Sequence, residues 1–119
     1  MVDVSAILKA LKDPKVLAGV ESAGRDGIDA LVGQIDPAMR ERLIRNSVKR
    51  IQFEAESDHV FAELAASDVA LDLRTILNYT AAEARETANR IATVLISAIG
   101  AALPGVWSAA IPILKGILL

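Results

Sequence analysis

The residues that could coordinate a metal ion are grouped in Glu56-Ser57-Asp58-His59. On a helix, the spacing from Glu56 to His59 places a carboxylate and an imidazole on one face, and Glu63 follows one turn later. Di-iron carboxylate bundles supply metal ligands with this spacing. The motif is short, however, and acidic neighbours are typical of a solvated helix face. We therefore predict neither a metal site nor a cofactor, and keep a dimeric helical metal-binding protein as the third hypothesis for function.

No other pattern in the sequence indicates catalysis. A single His and scattered Ser residues define no nucleophilic triad, and the absence of Cys excludes a thiol nucleophile, a disulfide framework and a Cys-ligated metal. The glycines lack the spacing and the following Lys-Ser/Thr of a phosphate-binding loop. We interpret Gly24-Arg25-Asp26-Gly27 as a turn or a weak point in a helix, and we predict that the protein is not an enzyme.

A basic block lies before the middle of the chain, where Glu41 is the only opposing acid among Arg40, Arg42, Arg45, Lys49 and Arg50. We predict that Arg42, Arg45 and Lys49 lie along one side of a helix as interaction residues, where they could meet anionic lipid headgroups. The alternative is a solvated face, stabilised by Glu41 and Arg45 at i, i+4. Nucleic acid is not expected as a partner, because the net charge is −2 and aromatic residues are scarce.

The charge distribution divides the chain of 119 residues near position 90. All 15 acidic and 12 of the 13 basic residues precede it, whereas the 24 residues Ile91–Leu114 are uncharged. We therefore distinguish a charged helical region, 1–90, from an apolar C-terminal segment, 91–119. This segment is long enough to span a hydrocarbon core of about 30 Å, but Pro104 and Pro112 interrupt it. A helical hairpin folded at 103–105 is the alternative.

The composition predicts an all-α fold with long helices, an Ala-rich packing seam and an apolar C-terminal helix or helical hairpin. We predict helices over 3–12, 14–33, 37–66, 69–103 with an interruption near Asn78, and 106–118. Asp13-Pro14 and Asp36-Pro37 mark two helix starts, since each places a capping carboxylate before a proline at the first helical position. Thr80 and Glu83 have capping-box spacing.

Apolar residues recur at alternating spacings of four and three from Leu77 to Ala102. The alanines of this seam let a neighbouring helix approach closely. We predict interaction residues in the seam and in the last helix, namely Ala84, Ala88, Leu95, Trp107 and Ile111. In the predicted helix 37–66, residues 44, 48, 51 and 55 and then Phe61, Leu64 and Ala65 form one apolar stripe, with a phase shift near Ser57-Asp58.

Charge is distributed unevenly along the predicted helix 37–66. Residues 40–50 carry a local charge of +4 and residues 54–72 a local charge of −6. Basic residues near a helix N-terminus and acidic residues towards its C-terminus oppose the helix dipole. We therefore expect oppositely charged segments of another chain to lie against this helix.

Together these patterns favour a non-enzymatic helical structural subunit that self-associates through its apolar C-terminal segment, for example in a virion or a membrane-associated complex. Its partners would be further copies of itself or other subunits, because the upstream residues are too charged to enclose the apolar segment. The alternative is a small membrane-inserted protein, tail-anchored or pore-forming. Arg85 and Arg90 before the segment, against Lys115 alone after it, would then place the N-terminal region in the cytoplasm.

Overall fold

The computed structural model describes residue 9 and residues 12–102, without the side chains of residues 101 and 102. This part of the chain contains the helices α1 (Pro14–Val32), α2 (Pro37–Ala55), α3 (His59–Leu77) and α4 (Ala81–Ala102), and no strand. The all-α prediction is therefore confirmed. The predicted hairpin turn at 103–105 and the predicted helix over 106–118 lie outside the described residues, as does most of the predicted helix over 3–12.

The helix starts that the sequence marks are formed by side-chain caps. The Asp13 carboxylate accepts a hydrogen bond from the backbone N–H of Lys15 at 2.9 Å, and Asp36 caps α2 in the same way at 2.8 Å. At the start of α4, Thr80 and Glu83 bond each other's backbone N–H groups, both at 3.2 Å. These bonds satisfy donors that would otherwise lack partners at the helix ends.

The predicted single helix over 37–66 is wrong, because the chain turns back between α2 and α3. Ser57 adopts a left-handed conformation with φ 60°. The N–H of Ser57 bonds the carbonyl of Glu54 at 3.0 Å, and that of Asp58 bonds the carbonyl of Phe53 at 2.8 Å. This is the Schellman arrangement, which closes a helix C-terminus. Asp58 then caps α3, so one short turn ends one helix and begins the next.

A second left-handed residue, Asn78 with φ 57°, ends α3. Asn adopts this conformation at lower cost than most residues, because its short amide can bond locally. The interruption that the sequence predicts near Asn78 is therefore confirmed. The predicted helix over 69–103 is accordingly divided between the end of α3 and α4.

Helix α4 lies at the centre of the fold, where it contacts α1, α2 and α3, whereas α1 and α2 contact each other little. Its buried residues therefore point in several directions; they include Ile91, Ala92, Leu95, Ile96, Ala98 and Ile99. The expectation that the upstream residues cannot enclose the apolar segment is wrong for residues 91–99, because three amphipathic helices surround them. The division suggested at residue 90 falls inside α4.

Helices α1 and α4 approach closely where α1 carries Gly24 and Gly27. A Cβ atom placed on Gly24 would lie 2.9 Å from Cδ2 of Leu95, and one on Gly27 would lie 2.6 Å from Cγ1 of Val94. The predicted alternative of a turn at these glycines is wrong, since both lie within the uninterrupted helix α1, whereas a weak point in the helix stays a prediction. They are packing positions, at which the missing side chain makes room for α4.

Candidate functional site

The large apolar residues that are exposed within the described part of the chain all lie on α3. Their exposed fractions are 71% for Val60, 53% for Phe61, 55% for Leu64 and 59% for Leu71. Val60, Leu64, Ser67 and Leu71 follow spacings of four, three and four, which place them on one face of the helix. We call these four residues the α3 stripe. Phe61 lies at one edge of it.

The α3 stripe is exposed because α3 buries its opposite face. That face consists mainly of small residues, and its buried apolar members are Ala62, Ala65, Ala66, Val69 and Leu73. Small side chains allow the helices packed against α3 to approach closely. Helix α3 is thus apolar on two faces, of which the fold covers only one. A surface helix normally has one such face, so the second is the strongest candidate for an interaction surface.

One edge of the α3 stripe carries Glu63, which is held by α4. Both carboxylate oxygens of Glu63 accept hydrogen bonds from Arg85, each at 2.7 Å. These bonds lower the pKa of the Glu63 carboxyl and raise the pKa of Arg85, because they favour the charged form of each group. Glu63 therefore stays ionised beside the stripe.

Arg50 of α2 is buried close to this ion pair. Burial lowers the pKa of its guanidinium and nearby Arg85 lowers it further, whereas Glu54 and Glu63 raise it. Among the described residues, its Nη1 has no hydrogen-bond partner. A charge removed from water is costly unless opposite charges lie nearby, so the two carboxylates offset part of that cost. This arrangement fixes the interface of α2, α3 and α4 rather than presenting a group to solvent.

The candidate metal ligands of the sequence are brought only partly together. The ring Nδ1 of His59 lies 3.0 Å from Oε2 of Glu54, whereas Glu63 is engaged by Arg85. Glu56 caps the end of α2 and is exposed. Across residues 12–102, no three His, Asp or Glu side chains are arranged to hold a metal ion.

The basic residues predicted to interact lie exposed on α2, and two of them form ion pairs. Nε of Arg42 lies 3.0 Å from Asp72 of α3, and Nη2 of Arg45 lies 2.6 Å from Glu41. Lys49 forms no ion pair within the described region. The charge compensation expected from another chain is thus provided in part by this one, because the turn at 56–58 folds the acidic segment back against the basic segment.

A cleft of about 430 Å³ lies between α1 and α2. Leu17 and Val48 form its apolar floor. Arg45 and Lys49 lie at its rim together with Glu21, whose carboxylate is 3.5 Å from Nε of Arg45. The cleft therefore brings together two predicted interaction residues, although the charge of one of them is already neutralised.

The predicted interaction residues of the Ala-rich seam face inward. Ala84, Ala88 and Leu95 are each at most 1% exposed. They contact the core of this chain, because α4 is surrounded by the other helices. The close packing expected along this seam thus involves helices of the same chain, and a role for these residues between chains stays a prediction. Trp107 and Ile111 lie outside the described residues, so their role stays a prediction.

The sequence analysis missed the α3 stripe because it placed Phe61 and Leu64 on one apolar stripe with residues 44, 48, 51 and 55. Of Phe61, Leu64 and Ala65, only Ala65 is buried. The sequence did contain a signal for this stripe: residues 60–73 are apolar on two faces of the helix, with small residues on one face and large residues on the other.

Comparison of the chain with family models, curated proteins and solved structures gave no match. None of the helices described is long and apolar enough to cross a membrane.

Proposed function

We propose that the protein is a non-enzymatic helical structural subunit that self-associates, and that the α3 stripe is one of its contact surfaces. The observation that carries this proposal is the concentration on one helix of all the exposed large apolar residues in the described part of the chain. Scattered exposed apolar residues are ordinary in soluble proteins, whereas a contiguous apolar patch of a few hundred Å² is often functional.

The surroundings of the patch favour a protein partner over an anionic membrane. The α3 stripe is flanked by Glu63 on one edge and by Asp68 on the other, and both are exposed. Carboxylates beside an apolar face would be repelled by anionic headgroups, whereas amphipathic helices that bind such membranes are rich in Lys and Arg. A second helix with a similar apolar stripe is the more suitable partner.

The size of the patch limits the strength of this contact. The exposed side chains of Val60, Phe61, Leu64 and Leu71 together present on the order of 400 Å² of apolar surface, within the range of about 300–600 Å² for the largest patch on a monomer. A standard stable interface buries about 800 Å² on each partner. Self-association through α3 alone is therefore expected to be weak, with a dissociation constant in the micromolar range or above. The contribution of the C-terminal segment stays a prediction from the sequence.

Sedimentation velocity over a range of protein concentrations tests this proposal. The mass of the natural chain should increase with concentration, whereas Leu64→Glu combined with Leu71→Glu should remain smaller under the same conditions. Both residues are exposed, so the variant should keep its helical circular dichroism. Ala30→Glu, at an exposed position on α1, is the matched control and should behave like the natural chain.

Two results would contradict the proposal. A natural chain that stays monomeric at all concentrations would rule out self-association. A double variant that associates as strongly as the natural chain would show that the α3 stripe is not a contact surface.

A further inference from the structure

The positions of the charged residues along the edge of the α3 stripe determine in which orientation a partner helix can pack against it. Glu63 lies on one edge of the stripe near the N-terminal end of α3, and Arg74 lies on the same edge near the C-terminal end. Within residues 12–102, Arg74 is exposed and forms no ion pair. This edge therefore carries a carboxylate that Arg85 of the same chain already pairs at one end, and at the other end a guanidinium that forms no ion pair within residues 12–102.

We infer that the partner of the α3 stripe is the same stripe of a second copy, packed antiparallel about a two-fold axis close to Ser67. This inference depends on the proposed self-association and adds its geometry. Equivalent edges face each other when two helices pack antiparallel, so Arg74 of each copy would lie beside Glu63 of the other. Such an interface is self-complementary, as a two-fold interface requires.

The apolar residues fit the same alignment. With the two-fold axis between positions 67 and 68, a residue of one copy faces the residue of the other copy that lies equally far on the other side of the axis, so that the two residue numbers add up to 135. Leu64 of each copy then packs against Leu71 of the other, and Val60 faces Thr75. The small side chain of Ser67 lies at the centre, where the two backbones come closest. Apolar pairing and charge pairing thus select nearly the same register.

A parallel arrangement of the two stripes would be less favourable. It would place the edge that carries Glu63 and Arg74 against the opposite edge, which carries Asp68, so the pairing of Arg74 with Glu63 across the interface would be lost. The two arrangements therefore predict different results for the loss of one charge. Arg74→Gln should weaken antiparallel association, by about threefold, because two exposed ion pairs are lost. In a parallel pair Arg74 would not lie beside Glu63 of the other copy, so the same substitution should leave the dissociation constant nearly unchanged.

The first experiment measures the dissociation constant of the full chain and of Arg74→Gln by sedimentation equilibrium at low and high salt. We expect weaker association of the variant at low salt and a smaller difference at high salt, because salt screens exposed charges. Arg25→Gln is the matched control, since Arg25 is an exposed arginine on α1. Tighter association of Arg74→Gln, or an unchanged constant, would overturn the antiparallel arrangement.

The second experiment uses disulfide formation, which the absence of native cysteine makes specific. In the antiparallel arrangement the two copies of residue 75 are about 22 Å apart along the helix axis, too far for a disulfide. Thr75→Cys alone should therefore not crosslink. A mixture of Thr75→Cys with Val60→Cys should give a crosslinked pair containing one chain of each kind.

The outcomes separate this inference from the proposed function. Ser67→Cys lies near the axis and should crosslink in either arrangement, so it reports only whether the α3 stripes meet. Crosslinking of Ser67→Cys together with crosslinking of Thr75→Cys to itself would overturn the antiparallel arrangement and leave self-association through α3 intact. Failure of Ser67→Cys to crosslink in a chain that does associate would overturn both.

Discussion

The close contact between α1 and α4 predicts that Gly27→Ala destabilises the fold, although alanine is the better helix former. A Cβ atom on residue 27 would lie 2.6 Å from Cγ1 of Val94 and 3.5 Å from its Cγ2. Favourable carbon contacts lie at about 3.5–4.0 Å, so the first of these distances is an overlap of about 1 Å. Val94 is β-branched and has one strongly preferred rotamer in a helix, so it cannot rotate away without cost.

Two opposing terms set the size of the effect. Replacing glycine by alanine inside a helix stabilises by about 0.5–1 kcal/mol. Forcing an extra methyl group into a packed interface costs about 1–3 kcal/mol. The expected net result is a destabilisation of about 0.5–2 kcal/mol, which corresponds to a fall in Tm of several degrees for a chain of this length.

Urea unfolding followed by circular dichroism measures this effect, and a double-mutant cycle assigns its cause. Val94→Ala alone should destabilise modestly through the loss of buried methyl groups. Gly27→Ala with Val94→Ala should be more stable than the sum of the single changes by about 1 kcal/mol, because the overlapping atoms are gone. Ser22→Ala, at an exposed position on α1, shows the smaller stabilisation that alanine gives in this helix away from the contact with α4. If Gly27→Ala instead stabilised the protein by the full helix-propensity term, the close approach of α1 and α4 would be refuted.

Three further substitutions test the packing, the turn and the ion pair. Ala88→Leu should lower the free energy of unfolding, measured in urea, by about 1–3 kcal/mol, because the Ala-rich seam is closely packed. Ala82→Leu, at an exposed position on α4, is the control and should not lower it. Equal stabilities of the two variants would contradict the burial of the seam. Ser57→Gly should raise Tm, since glycine adopts the left-handed conformation at position 57 at lower cost, and a lower Tm would argue against this turn. Glu63→Gln should destabilise slightly near pH 7, and the difference should begin to shrink near the ordinary Glu pKa of 4.5 and be lost as the pH falls through the lower pKa of folded Glu63. The sign follows because Arg85 lowers the pKa of folded Glu63, so the unfolded chain binds more protons there at acid pH; a difference independent of pH would contradict it.

The parts of the fold that the sequence predicts are those set by local chemistry. A carboxylate before a proline fixes a helix start whatever surrounds it, and both Asp13-Pro14 and Asp36-Pro37 begin helices. The reciprocal bonds of Thr80 and Glu83 also depend on residues three apart. Such signals require no knowledge of tertiary contacts.

The turn between α2 and α3 could not be predicted in this way. Serine carries no strong preference for a left-handed conformation, and helix ends of this type usually show Gly or Asn. Two features beyond local propensity hold the turn in place. Phe53 and Phe61 stack across it, with ring centroids 5.4 Å apart, and Arg42 pairs with Asp72 further along the same two helices. These contacts exist only once α2 and α3 lie antiparallel.

The exposed face of α3 was misassigned because size and burial do not correspond on this helix. A general preference for burying large apolar residues places Phe61 and Leu64 inside. The fold instead buries Ala62 and Ala66, since small residues allow closer helix contacts. Which face is covered thus depends on the distance between helices, and the same dependence makes Gly24 a packing residue rather than a turn.

The position of α4 changes the expected result of truncating the apolar segment. The sequence predicts that deletion of residues 91–119 leaves a soluble helical fragment that associates poorly. In the structure, four large residues that this deletion removes are completely buried: Ile91, Leu95, Ile96 and Ile99. At about 1.5–3 kcal/mol for each buried side chain, their loss amounts to about 6–12 kcal/mol. That is comparable with the whole stability of a small domain, about 5–15 kcal/mol, so the fragment 1–90 should be unfolded.

A deletion after residue 102 should behave differently, because it retains α4 and the described core. We expect the fragment 1–102 to unfold cooperatively in urea with helical circular dichroism, and the fragment 1–90 to show neither property. The fragment 1–102 also keeps the α3 stripe, so any self-association that it retains is attributable to residues upstream of the apolar tail. Stronger association of the full chain would then measure the contribution of residues 103–119. A fragment 1–90 that remained helical and unfolded cooperatively would refute the central position of α4, since the other three helices would then form a core without residues 91–99.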